Sequence, residues 1–149
     1  MSEFLEVTVD KFTFKVPADR LYHRDGLWVQ PLAGARVRLG LTDYLQQRNG
    51  DLAFASIKPI GTQVGAGGEV AEIETIKVNL SLGAPVSGTV VEINPALELS
   101  PEVVNRDPYG EGWLAVLETT HLEAERGALL DGPAYFAFMK DQVEQELKP

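Results

Sequence analysis

Between Lys58 and Arg106 the chain carries a single cation, Lys77, set in EIETIKVNLSLGAPVSG, a strand-like stretch punctuated by Gly and mildly acidic. A lysine that works as a nucleophile or base needs desolvation or a neighbouring cation to release its proton near neutral pH. Lys77 has Glu69, Glu72 and Glu74 upstream instead, which sets Schiff-base and general-base chemistry aside. Two roles remain: a surface lysine in a weak ion pair, or an amine presented for covalent attachment. The surroundings favour attachment. Strand-like segments over 69 to 76 and 86 to 93 enclose the lysine, and Gly83-Ala84-Pro85-Val86-Ser87-Gly88 offers a Pro and two glycines for a tight, rigid reversal. Such a bend presents one amine among six lysines to a modifying enzyme. Acylation would then turn it into a long, uncharged tether.

No other set of residues makes a self-contained active site. His23 and His121 stand in unrelated contexts without a second ligand at metal spacing. GTQVGAGGE has close glycines but lacks the Lys-Ser/Thr of a phosphate loop, and APVSG lacks the GxSxG pattern of a nucleophile elbow, with Gly83-Ala84-Pro85 before the Ser. Carboxylates are too abundant for any pair to be singled out.

The elements that must position Lys77 are mostly short strands. Residues 4 to 16 alternate in two blocks, Leu5-Val7-Val9 and Phe12-Phe14-Val16, broken at Asp10-Lys11, which predicts a hairpin. Strands are predicted at 27 to 30, 36 to 41, 51 to 57 and 113 to 118. Thr42 caps a short helix that ends at Asn49-Gly50. Ser100-Pro101-Glu102 reads as a helix start, Thr120 and Glu123 have capping-box spacing, and Asp131-Gly132-Pro133 opens a last helix. Tyr135, Phe138, Met139, Val143 and Leu147 form that helix's apolar stripe. Phe12, Phe14, Trp28, Trp113, Tyr135 and Phe138 are core candidates. The reading is a mainly β chain with short helices (α+β), organised as one domain over 1 to 149: a strand extension over 1 to 18, a barrel core over 19 to 119, and C-terminal helices over 120 to 149.

Composition is that of an ordinary folded protein, 44% hydrophobic and 23% charged. The net charge of −9 repels phosphate backbones and anionic lipid, so neither nucleic acid nor membrane is an expected partner. With no Cys there is no disulfide framework, thiolate metal site or cysteine nucleophile. The opening MSEFLEVTVD is acidic and lacks a signal's basic and apolar regions, which predicts a cytoplasmic protein.

ETIKV, then Pro-Val-Ser-Gly eight residues beyond the Lys, then VVEIN and SPEVVNRDPYGEGWL, resemble the lipoyl-carrying H protein of the glycine cleavage system and its H-protein-like relatives. The similarity runs from about Leu21 through Phe138, with GLTDY and GD in the expected order. It implies a lipoyl-type barrel-sandwich hybrid with a C-terminal amphipathic helix, and a carrier without enzymatic activity of its own. Lys77 then bears covalent lipoate, Glu74 matches the acid three residues before that lysine, and Gly88 matches the Gly of PVSG. The resemblance implies a lipoate ligase or octanoyltransferase for modification. It also implies glycine decarboxylase, which loads an aminomethyl group, then aminomethyltransferase and dihydrolipoyl dehydrogenase. The chain departs from the family pattern in places: Asp25-Gly26-Leu27-Trp28 replaces a His-Glu-Trp, Val78-Asn79-Leu80-Ser81 replaces an Ala-Val-Ser-Asp, and Ile76 replaces Val. Those departures keep open a lipoate-binding protein for sulfur oxidation with a heterodisulfide-reductase-like complex. A biotin carrier, whose lysine sits between two Met residues rather than Ile76 and Val78, and an unmodified binding module are further alternatives.

Overall fold

The structure is a computed structural model that describes residues 3–147; the parts of the domain expectations that fall on residues 1, 2, 148 and 149 lie outside it. Strands β1 (Phe4–Val9) and β2 (Phe12–Pro17) form a separate antiparallel pair. β3 (Leu21–Tyr22), β4 (Leu27–Pro31), β5 (Arg36–Leu41) and helix α1 (Asp43–Asn49) follow. Then come β6 (Leu52–Ile57), β7 (Gln63–Val64), β8 (Glu69–Thr75), β9 (Asn79–Gly83) and β10 (Gly88–Ile93). The remainder is α2 (Ala96–Leu99), α3 (Val103–Arg106), β11 (Ala115–Thr119), α4 (Leu122–Glu125), β12 (Leu130–Asp131) and α5 (Gly132–Glu146).

A seven-stranded sheet of order β12-β3-β4-β5-β11-β10-β7 stands against a three-stranded sheet of order β6-β8-β9, and neither closes on itself. Alternation decides what faces inward: Leu27 and Val29 of β4 and Val37, Leu39 and Leu41 of β5 bury in one cluster with Leu52, Ile73 and Leu82 of the smaller sheet. This is the mainly β, short-helix architecture that the sequence predicts, with the C-terminal helix packed outside.

The opposite face of β3 and β4 carries a second, aromatic core. Tyr22, Trp28, Tyr44 and Tyr109 bury there with Phe14 and Val16 of β2 and Tyr135, Met139 and Val143 of α5. The Tyr22 and Tyr135 rings stack 4.7 Å apart. The Trp28 indole lies across Gly40 on the neighbouring strand, where a Cβ would come within 2.4 Å of the ring. Of the predicted α5 stripe, Tyr135, Met139 and Val143 are buried, Phe138 is half-buried, and Leu147 stands past the helix end with 39% of its surface exposed.

The β2 edge facing α1 is bonded to side chains. The Lys15 N–H donates to Asp43 Oδ2 at 2.9 Å, the Gln47 amide donates to the Thr13 carbonyl at 2.7 Å, and the Tyr109 hydroxyl donates to the Lys15 carbonyl at 2.6 Å. That hydroxyl also accepts from the Asp43 N–H. The segment read as an extension is therefore bonded into the body of the molecule.

Two helix starts differ from expectation. At Ser100 the carbonyl accepts the Val103 N–H in a turn through Pro101 and Glu102, so α3 begins later and has no side-chain cap. Thr120 does not open a capping box: α4 starts after His121 without a side-chain cap, and the Thr120 hydroxyl lies 3.0 Å from His121 Nδ1 instead. Thr42 and Asp131 do cap, accepting from the Leu45 and Ala134 N–H groups.

Candidate functional site

Lys77 sits at the apex of the β8–β9 hairpin. The strands pair Glu72 with Ser81, Ile73 with Leu80 and Glu74 with Asn79, and the Thr75 N–H then donates to the Val78 carbonyl at 2.9 Å to close the loop. Thr75 fixes the tip from within. Its hydroxyl oxygen accepts the N–H groups of Lys77 and Val78 at 3.2 and 3.1 Å, and the hydroxyl lies 3.2 Å from the Val78 carbonyl. A hydroxyl that takes up two backbone donors in this way holds a turn without a left-handed residue. At the tip, Ile76 is 95% exposed, and the Lys77 side chain has no hydrogen-bond or ion-pair partner among the described residues. Lys77 itself is exposed to water.

The bend responsible is not the one the sequence suggested. A whole strand, β9, lies between Lys77 and Ala84-Pro85-Val86-Ser87, so PVSG turns the chain at the far end of that strand and carries it into the larger sheet. β9 escaped prediction because NLSLG is short and runs directly into the Gly and Pro signals. The second strand enclosing Lys77 is thus Asn79–Gly83, not 86 to 93. Thr75 escaped for a different reason: it is the last residue of β8, as the strand pattern predicts, and its role at the tip lies in hydrogen bonds that the period does not show.

Glu74, half-buried at the end of β8, lies opposite Asn79 and Phe54, next in chain to the Thr75 clamp. Gly88 is not brought to the tip. It is buried in β10 between Val64 and Thr119, where a Cβ would meet the Glu118 carbonyl oxygen at 2.6 Å, so its lack of a side chain is a packing requirement. The neighbouring turn is pinned by Ser87, whose N–H and hydroxyl both donate to the Glu125 carboxylate, at 2.8 and 2.6 Å. Burial alone would raise the Glu125 pKa, but the two Ser87 bonds, with His121 nearby, hold it below the ordinary value. Along the hairpin, the Ser81 hydroxyl and Lys58 both bond Glu69 and hold its carboxyl low. His23 and His121 do not meet, and each bonds its own neighbours.

Two depressions adjoin the hairpin. A cleft of about 400 Å³ runs beside β9, lined by Leu80, Ser81 and Leu82 together with Arg24, Asp25 and Leu27. A groove of about 290 Å³ includes Lys77 itself, together with Phe12 and Phe14 of β2, Tyr44 of α1 and Val143 of α5. No helix among the described residues is long and apolar enough to cross a membrane.

Residues 20–142 match the family model described as glycine cleavage H-protein. A probable glycine cleavage system H protein from Thermococcus kodakarensis is 42% identical over 127 residues, covering 85% of this chain and 94% of its own. The glycine cleavage system H protein of Mycolicibacterium vanbaalenii is 41% identical over 129 residues, covering 85% and 98%. Among solved structures, a glycine cleavage system H protein from Mycobacterium marinum superposes with a TM-score of 0.72 at 35% identity, over 82% of this chain and 97% of the other. That neighbour has the lipoyl-type barrel-sandwich fold.

Proposed function

This chain belongs to the glycine cleavage H-protein family, whose members carry lipoate covalently on a lysine, and we propose that Lys77 is the lipoylated residue and that the protein shuttles cargo on that arm rather than catalysing a reaction. The observation behind this reading is the exposed hairpin apex, where Lys77 stands without a side-chain partner among the described residues on a turn clamped by Thr75. A lipoate ligase or octanoyltransferase is the enzyme that would dock there, with Glu74 as the acid it reads. The work of the chain is presentation: a stiff base, an exposed amine at its apex, and an effective concentration raised by tethering. Lipoate, once attached, supplies the disulfide–dithiol chemistry. Gly88 serves the site at a distance, by letting β10 pack closely enough to seat the turn that follows β9.

The finer reading is glycine cleavage, in which the arm takes an aminomethyl group from glycine decarboxylase to aminomethyltransferase and is reoxidised by dihydrolipoyl dehydrogenase. Family membership supports it, and no observation favours the sulfur-oxidation reading over it. The net charge of −9 fits docking on basic partner surfaces. The chain is read as one carrier domain with its hairpin and C-terminal helices as integral parts.

Intact mass after co-expression with a lipoylation system is the test. The expected result is addition of one lipoyl group that disappears in Lys77→Arg while the circular dichroism and melting of that variant match the parent. A persistently unmodified mass, or modification that survives Lys77→Arg, overturns the assignment. Glycine-dependent bicarbonate exchange with purified glycine decarboxylase then tests the pathway.

A further inference from the structure

The smaller sheet ends at β6, and that end is open. The Lys58 N–H donates to the Val70 carbonyl at 2.9 Å, and further up the ladder Ser56 stands opposite Glu72 and Phe54 opposite Glu74. Hydrogen-bonded and non-bonded pairs alternate along an antiparallel ladder. The backbone groups of Phe54 and Ser56 therefore face β8, while those of Ala55 and Ile57 face outward, where the sheet has no further strand. Beside them lies a groove of about 670 Å³ between β6 and α2. We propose that this edge is a docking surface that takes up an extended, basic segment of a partner protein as an added strand. The inference goes beyond the carrier reading, since it does not depend on what is bonded to Lys77.

Three observations carry it. The first is that the edge is not blunted. Exposed edge strands are commonly guarded by charged residues or Pro, yet LAFASI, residues 52 to 57, has neither, and the register shift between Leu52 and Phe54 affects only its start. The second is the wall of the groove. Ile93, Leu97, Leu99 and Pro101 face β6 across it, and Leu99 and Phe54 leave 90% and 54% of their surface to water. A strand laid along β6 would gain backbone bonds from Ala55 and Ile57 and set its alternate side chains against those apolar groups. The third is charge, which chooses the occupant. Glu98 lines the groove, Glu72 and Glu74 stand on the neighbouring strand opposite Ser56 and Phe54, and Lys58 at the far end is already paired with Glu69 at 3.0 Å. A second copy, also at −9, would bring the same acids to one seam. A segment carrying Arg or Lys complements them.

The probe is the blocked heptapeptide Arg-Val-Thr-Val-Thr-Val-Arg, titrated to millimolar concentration into the isotope-labelled full chain and followed by amide NMR; its counterpart carries Glu in place of both Arg residues. The Ala55 and Ile57 amides should shift and exchange with solvent more slowly. The Glu-flanked peptide should bind about tenfold more weakly at low salt, a difference that disappears at about 1 M salt. Ala55→Pro removes an outward donor and no bond to β8, a place where an edge strand accepts Pro, and it should abolish the response. Leu99→Ser changes a side chain that the fold leaves in water, so it tests the groove without disturbing the strand, and it should weaken binding severalfold. Unchanged Ala55 and Ile57 amides with the Arg-flanked peptide, equal binding of the two peptides, or a response that survives both variants overturns the proposal. So does sedimentation of the free protein that rises with concentration and is returned to the monomer value by Ala55→Pro, which would give the edge to a second copy.

Discussion

At the scale of single residues, the site depends on one side chain that reaches outward and one that holds it there. Lys77 was legible in the sequence because it is the lone cation in a long acidic and neutral stretch. Thr75 was not, since its importance lies in hydrogen bonds that form only once the hairpin register is set. The two make separable predictions. Lys77→Arg should leave stability unchanged, because the side chain touches nothing that folding needs, and a fall in Tm of several degrees would contradict the apex placement. Thr75→Val removes the acceptor for two tip amides. Those amides are exposed, so water replaces the bonds and the expected cost is about 0.5–1.5 kcal/mol, while lipoylation by purified ligase should slow by a larger factor as the tip loosens. Thr75→Ser should restore the rate; if Val and Ser variants are modified equally fast, the clamp has no part in recognition. Glu74→Ala should also slow modification, and rates equal to the parent would remove its role as a recognised acid.

At the scale of elements, some features are set by local pattern and others only by distant partners. The β1–β2 hairpin, the Thr42 and Asp131 caps and the inward face of β5 follow from period and capping chemistry within a few residues. β9 was lost because five residues between a lysine and a Gly-Pro turn leave no room for a period to show. The docking of the hairpin was equally invisible, since its bonds come from Asp43, Gln47 and Tyr109, far along the chain. Tyr109→Phe tests that docking. It leaves the Lys15 carbonyl and the Asp43 N–H without the hydroxyl that serves both, at an expected cost of about 1–3 kcal/mol, and hydrogen exchange should quicken across residues 12 to 17 first. Uniform acceleration across the molecule would mean that the hairpin is no separate unit. Gly40→Ala addresses the same face from beneath: a methyl 2.4 Å from a fully buried Trp28 ring must displace it, for about 1–3 kcal/mol of overpacking, measurable as a lower urea midpoint at unchanged m-value.

At the scale of the whole molecule, the two cores answer to pH differently. The core between the sheets is aliphatic and does not titrate, whereas the core that joins hairpin, sheet and α5 holds all four tyrosines of the chain. Burial pushes every one of them up: Tyr135 to about 12, Tyr22 and Tyr44 further, and Tyr109 well above its ordinary value, with the Glu146 hydrogen bond adding to the effect at Tyr44. The sign follows directly. The folded protein keeps protons that the unfolded chain gives up near pH 10, so the stabilising contribution is whole below that value and is lost as pH rises through the folded values. Stability should hold level from neutral pH to about 10 and then fall with a slope approaching four protons per molecule unfolded. Glu69 and Glu125 act at the other end: their lowered values give stability present above the ordinary carboxylate range and lost on acidification, and Glu125→Gln should flatten that acid limb. Urea midpoints across pH, read beside tyrosinate absorbance near 295 nm, check the alkaline limb. The absorbance should appear together with unfolding, in one transition. A tyrosinate signal that grows near pH 10 while the protein stays folded would show that water reaches this aromatic core, and the groove that Phe14 and Tyr44 help to line would then lose its dry floor.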